Sequence, residues 1–185
     1  HSLYQQYTSL LSAIYPSLLS ANTQNSYQKY KKLNYEHKKI SKKIKIFTPD
    51  LSNNFKEANN QITKLIDENE KDFVFMGSSL GGYYANFFGS INKSKVILIN
   101  PAIPPLKGFE EYLGENENYS TGEKFIVTKD DIKFLRSLVT KKFNNQKNTL
   151  VFLESGDEVI NYVEAAKYFI GSSIDITYGG SHSYE

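Results

Sequence analysis

Short runs of apolar residues alternate along this chain with segments whose apolar positions recur every three or four residues. The runs at 44–47, 73–76, 96–99, 149–153 and 174–178 are rich in β-branched and aromatic side chains and end in turn residues, which predicts strands. Several are apolar on both faces, as strands inside a covered parallel sheet are. Between them, Phe55, Ala58, Ile62, Leu65 and Ile66 share one face of a helix that Asn54 and Glu57 are spaced to cap. Val159, Tyr162, Val163, Ala166, Phe169 and Ile170 predict another helix by the same spacing. Strand and helix alternate, so the expected fold is α/β: a mostly parallel sheet with helices on both faces.

Residues 103–148 interrupt the rhythm. Pro104, Pro105, Gly108, Gly114 and Gly122 punctuate a polar excursion that precedes a helical stretch at Ile132, Leu135, Leu138 and Val139. An insertion of that length between two sheet strands is expected to form a cap or lid on one α/β domain spanning 1–185. Near the amino terminus Leu3, Tyr7, Leu10, Leu11, Ile14 and Leu18 keep helical spacing, but Pro16 interrupts it.

Composition narrows the function classes. At 185 residues, with 39% hydrophobic and 14% aromatic side chains, the chain is sized for one core of its own. No apolar run approaches the ~20 residues of a membrane-spanning helix, and no secretory signal is visible, so a cytoplasmic protein is expected. With no Cys and three His, disulfides, thiolate sites and a zinc centre have no ligands to draw on, and neither metal nor cofactor is expected. The net charge is +2, but Lys29, Lys31, Lys32, Lys38, Lys39, Lys42, Lys43 and Lys45 crowd one segment beside Tyr27, Tyr30 and Tyr35. Stacking tyrosines among lysines are what a single-stranded nucleic acid would need. A solvated helix face explains the same run more simply, so a nucleic-acid partner is not expected.

The sharpest change of character is FVFMGSSLGGY at 73–83, where a strand pattern gives way to glycine and serine and a helix pattern follows. Gly77, Ser79 and Gly81 form G-x-S-x-G between strand and helix, the setting of a nucleophile elbow. Such a turn strains the backbone of its serine, and side chains two positions before and after it would collide. Ser79 would stand at the carboxyl end of the sheet while Ser78 points elsewhere. A glycine-rich turn that cradles phosphate is the alternative, but the stretch lacks both the lysine of a P-loop and the G-x-G-x-x-G spacing.

A serine hydroxyl needs a base within hydrogen-bond reach, and the base needs an acid to orient it. Past the fourth predicted strand lie Glu154, Asp157 and Glu158; past the fifth lie Gly179, Gly180, Ser181 and His182. Both groups fall at the carboxyl ends of strands, where an open α/β sheet builds its site, in the order Ser, acid, His. Asp157 is the expected acid, with a helix N-cap as its plainer role. His182 is the expected base, because His1 and His37 follow no predicted strand.

The chain resembles the YqiA-like esterases, small bacterial α/β-hydrolases, from about residue 44 to residue 182. The resemblance rests on GSSLGGYYA at 77–85, INPA at 99–102, EYLGENENYSTGE at 111–123, SGDEV at 155–159 and GGSH at 179–182. It implies an esterase or acyl thioesterase acting on a small ester or acyl-CoA-like substrate, with Ser79 as nucleophile, Asp157 as acid and His182 as base. Leu80, which follows the nucleophile, would supply one oxyanion N–H. The family's early His-Gly-Phe, which helps form the oxyanion hole, has no counterpart: no His-Gly occurs in the chain. Either His1-Ser2-Leu3 is its remnant or the segment 15–19 replaces it. The family also continues beyond its histidine into a closing helix, so both ends of this chain are expected to be incomplete. Within the insertion, Phe109, Tyr112, Phe134 and Leu138 are expected to hold an acyl group over Ser79, with membership of the core as the plainer role for the same spacing. Two other readings stand beside the hydrolase: an impaired α/β-hydrolase fold serving as a binding or scaffold protein, and a nucleic-acid binder using the lysines.

Overall fold

Four strands form one parallel sheet in the computed structural model, which describes residues 46–69, 72–118, 122–138 and 143–184. They are β1 (Val74–Ser78), β2 (Lys95–Pro101), β5 (Thr149–Glu154) and β6 (Ser173–Thr177), in the order β1-β2-β5-β6. The register sets Gly77 beside Leu98, Ile97 beside Leu150, and Glu154 beside Thr177, so all four strands end at one edge. The central strands β2 and β5 are buried along nearly their whole length, which is why their sequences are apolar on both faces. Strands β1 and β6 flank them among the described residues, and each exposes part of itself, Val74 at 55% and Ile176 at 36%. Of the predicted strand at 44–47, residues 44 and 45 lie outside the described residues; Ile46 and Phe47 form no strand.

The first helix, α1 (Phe55–Asp67), is capped by Asn54, whose Oδ1 accepts the N–H groups of Lys56 and Glu57 at 3.0 and 3.1 Å. Glu57 does not close a capping box: its carboxylate accepts the Ser52 hydroxyl at 2.7 Å. Helix α2 (Ser79–Asn92) follows β1 without a linker. Its Tyr83, Tyr84 and Phe88 enter one core cluster, its Ala85 another. Buried phenols also tie it to its neighbours, since Tyr83 donates to the Leu135 carbonyl at 2.8 Å and Tyr84 to that of Phe55 at 2.9 Å. The second cluster joins Val96 and Leu98 of β2 to Val151 and Leu153 of β5, with Ala165 and Phe169 above them.

Between β2 and β5 the predicted insertion holds a 3-10 turn (Phe109–Tyr112), a hairpin of β3 (Gly114–Glu117) and β4 (Lys124–Val127), and helix α3 (Lys129–Ser137). Thr128 and Asp131 form a capping box at the start of α3. Ile132, Leu135 and Leu138 are buried against Tyr83, Tyr84 and Phe88. Arg136 ties the start of the insertion down, donating to the carbonyls of Pro105 and Leu106 at 2.8 and 3.1 Å and pairing with Glu110 at 2.7 Å.

The later helix is shorter than its spacing predicts. Helix α4 (Tyr162–Tyr168) is capped by Asn161, and Val159, Val163 and Ile170 stay exposed at 51%, 41% and 76%. Asp157 Oδ1 accepts the N–H groups of Val159 and Ile160, which holds these residues in a turn instead of a first helical turn. The helix buries Ala165, and of the predicted face Phe169, at its C-cap, is buried while the valines are not.

Two compact units divide the chain, His1–Leu51 with Glu117–Glu123, and Ser52–Asn116 with Lys124–Glu185. In the first, Gly122 donates to the Asn118 carbonyl at 2.8 Å and Asn118 to that of Glu123 at 2.9 Å, closing a turn. The amino-terminal helical pattern, the lysine-rich run through Lys45, and His1 and His37 lie outside the described residues. The second unit contains the sheet and the site.

Candidate active site

The turn from β1 into α2 sets Ser79 at φ 48°, left-handed backbone that a non-glycine residue occupies only under constraint. Close packing surrounds it. A Cβ on Gly77 would run into the Gly81 backbone, so the crossing at the elbow requires a glycine there. A Cβ on Gly82 would come within 2.8 Å of Pro101 Cβ, so the helix can press on the end of β2 only without a side chain at that position. The Ser79 carbonyl accepts the N–H of Ala102 at 2.9 Å, which pins the elbow to the neighbouring strand. Ser78 is buried at 4% exposure, whereas Ser79 is partly open.

The loops after β5 and β6 lie on each other. Gly156 donates to the Gly179 carbonyl at 2.8 Å, and Gly179 donates to Ser155 Oγ at 2.9 Å. A Cβ on Gly156 would strike the Gly180 carbonyl. This stacking brings SGDEV and GGSH together. His182 Nε2 lies 2.9 Å from Ser79 Oγ, and His182 Nδ1 lies 2.9 and 3.0 Å from the two oxygens of Asp157. The Asp157 side chain is 1% exposed and that of His182 18%. Residues 79, 157 and 182 thus form one continuous hydrogen-bonded chain of hydroxyl, imidazole and carboxylate.

Three carboxylates stand near the histidine, and each has a different task. Asp157 alone is bonded to the ring, and its Oδ1 also accepts the N–H groups of Val159 at 2.8 Å and Ile160 at 2.7 Å. The turn at 157–160 and the ring are therefore held by the same carboxylate, while the helix N-cap, the plainer role for Asp157, falls to Asn161. Glu158 accepts the backbone N–H of His182 at 3.0 Å. Hydrogen bonds from its own backbone N–H and from that of His182 hold the Glu158 carboxyl below the usual range. Glu154, 2% exposed, accepts the N–H of Ser181 at 2.8 Å. Asn100, at the end of β2, donates to the carbonyls of Ser181 and His182 at 3.1 and 3.3 Å. Sequence spacing gave no sign of Asn100; the INPA motif was the sole pointer to that position.

The four residues expected to hold an acyl group are differently placed. Leu138 is 8% exposed inside the core cluster, and Phe134 and Phe109 pack against that cluster together with Leu80. Phe109 meets Phe55 edge-on at 6.2 Å, and Tyr112 stays 45% exposed beside it. Among the described residues no group of three or more His, Asp or Glu side chains is placed to hold a metal ion, and no helix is long and apolar enough to cross a membrane.

A parallel sheet whose first described strand turns through a strained serine into a helix, with acid and histidine on the loops of the last two strands, is the α/β-hydrolase fold. The chain belongs to the uncharacterised protein family UPF0227, whose family model matches residues 22–185; that family includes the YqiA esterases. Among solved structures it is similar to Est1E from Butyrivibrio proteoclasticus, with a TM-score of 0.54 at 17% identity over 71% of this chain. It spans 63% of the length of Est1E. Est1E with ferulic acid bound matches at a TM-score of 0.53 and 17% identity, over 72% of this chain and 63% of that one. The likeness at this identity speaks to the fold alone.

Proposed function

We propose that this protein is a serine hydrolase that cleaves a carboxylic ester or acyl thioester through an acyl-enzyme. The observation that carries the reading is the unbroken chain from Ser79 Oγ through His182 to Asp157, on a serine held at positive φ. Backbone strain of this kind clusters at functional sites. In the proposed reaction His182 Nε2 takes the Ser79 proton as Oγ attacks the acyl carbonyl. Asp157 accepts from Nδ1–H, fixes the tautomer and stabilises the imidazolium that forms. The tetrahedral oxyanion takes the Leu80 N–H as one donor, and His182 then hands its proton to the departing alcohol or thiol. Water, activated by the same imidazole, releases the acid.

The segment 103–148 is proposed as a cap that presents Phe109, Tyr112 and Phe134 to the acyl chain. The packing of Phe109 and Phe134 on the cluster that also receives Leu80 favours this. Leu138, buried in that cluster, supports the cap from beneath. A cytoplasmic location is part of the same proposal.

The alternative, an impaired fold used for binding, turns on the second oxyanion donor. Loss of one donor costs ~3 to 4 kcal/mol, or about 10² to 10³ in rate. Kinetics on 4-nitrophenyl butyrate, ethyl butyrate and butyryl thioesters therefore separate the two readings. A complete hole turns over activated and unactivated esters alike at enzymatic rates. Slow cleavage of the aryl ester with no turnover of the alkyl ester or thioester would favour the impaired reading.

A further inference from the structure

We propose that Asn100, Pro101 and Ala102 form a frame that fixes the nucleophile and the histidine at their 2.9 Å separation, with Asn100 and Glu154 as positioning residues for His182. The inference rests on the reading of Ser79 and His182 as nucleophile and base. On one side of the frame, Ala102 N–H donates to the Ser79 carbonyl, Pro101 bridges to Ser79, and Gly82 lies against Pro101. On the other side, the Asn100 amide donates to the carbonyls of Ser181 and His182. Three consecutive residues therefore grip the backbone of the two groups that must meet.

Asn100 is itself held. It is 1% exposed, its Oδ1 accepts the Glu154 N–H at 2.9 Å, and its φ is 39°, a region that Asn tolerates better than other side chains. Glu154 completes the grip by accepting the Ser181 N–H. Gly180, at φ 73°, passes so close to the Glu154 carboxylate that a Cβ there would strike it. A buried carboxylate and a left-handed backbone each cost stability, and apolar side chains would fill the same space at less cost. The polar pair supplies something that packing does not: directed hydrogen bonds to residues 181 and 182. Neither side chain touches the reacting atoms.

The test compares Glu154→Gln, which keeps an acceptor for Ser181, with Glu154→Leu, which keeps apolar packing but no acceptor. Asn100→Asp is added, keeping the acceptor and removing both donations. Each variant is measured for its rate of labelling by a fluorophosphonate, its thermal stability, and the Nδ1–H signal of His182 in a nitrogen-15 NMR spectrum. Glu154→Gln should label within about threefold of the parent, while Glu154→Leu and Asn100→Asp should lose on the order of 10-fold to 100-fold, as a misplacement of about 1 Å costs. The His182 signal should shift or vanish in those two variants alone. Equal labelling by Glu154→Leu and Glu154→Gln, or losses that only follow the unfolded fraction, would overturn the proposal. Should Glu154→Leu and Asn100→Asp fail to fold, Gly180→Ala on the exposed loop decides: slower labelling with a shifted His182 signal supports the frame, and parental values for both refute it. If the parent takes no label, the hydrolase reading fails, and the His182 signal alone judges the frame.

Discussion

Replacing Asp157 by Asn separates its two tasks. Its Oδ1 accepts two backbone N–H groups and both oxygens lie within 3.0 Å of His182 Nδ1, in a site where the side chain is 1% exposed. Asn keeps an oxygen for Val159 and Ile160, and it caps turns about as well as Asp, so stability should change by less than ~1 kcal/mol. Its amide nitrogen, however, meets Nδ1 as a donor. The imidazole must then offer Nδ1 as an acceptor and carry its proton on Nε2, facing Ser79 with no lone pair to receive the hydroxyl proton. The comparable loss in a serine triad is about 10⁴-fold in kcat, or about 5.4 kcal/mol at 1.36 kcal/mol per tenfold. The assay is kcat on 4-nitrophenyl butyrate alongside thermal denaturation, with Glu154→Gln and Glu158→Gln as controls. The reasoning is refuted if Asp157→Asn keeps its turnover while Glu154→Gln or Glu158→Gln loses it.

Leu138→Ala, in the buried cluster, should cost about 2 to 5 kcal/mol in denaturant unfolding, whereas Phe134→Ala should shift acyl-chain preference by more than it lowers melting temperature. Unchanged chain-length preference in Phe134→Ala would assign that ring to packing alone. Burial pushes Tyr83 up to about 12 and raises Tyr84 and Tyr168 as well. With folded values above the unfolded one, the neutral phenols favour the fold below pH ~10, and that contribution is lost as pH rises toward 12. Melting temperature should therefore fall across that window, less steeply in Tyr83→Phe, and a flat profile would contradict the burial argument.

The central strands were readable because burial on both faces gives β2 and β5 an unbroken apolar run, 96–99 in one and 150–153 in the other. The elbow was readable because its geometry excludes a side chain at Gly77. The acid was harder to choose, since Glu154, Asp157 and Glu158 fall within one turn-rich stretch and only the loop stacking separates them. The helix predicted from Val159 was misread because its hydrophobic spacing continues through a turn that Asp157 holds open. Asn100 and Gly82 lay inside the motifs INPA and GSSLGGYYA, but their roles were not readable from spacing. Their partners, Ser181 and Pro101, come from distant segments of the chain, and neither contact leaves a periodic signal.

Covalent labelling tests the central claim most directly. The intact protein and its Ser78→Ala and Ser79→Ala variants are treated with a fluorophosphonate, and the adduct is located by peptide mass spectrometry. The account predicts that the parent and Ser78→Ala carry the adduct on Ser79 and that folded Ser79→Ala carries none. Undiminished labelling of Ser79→Ala, or an adduct on another residue of the parent, would contradict it.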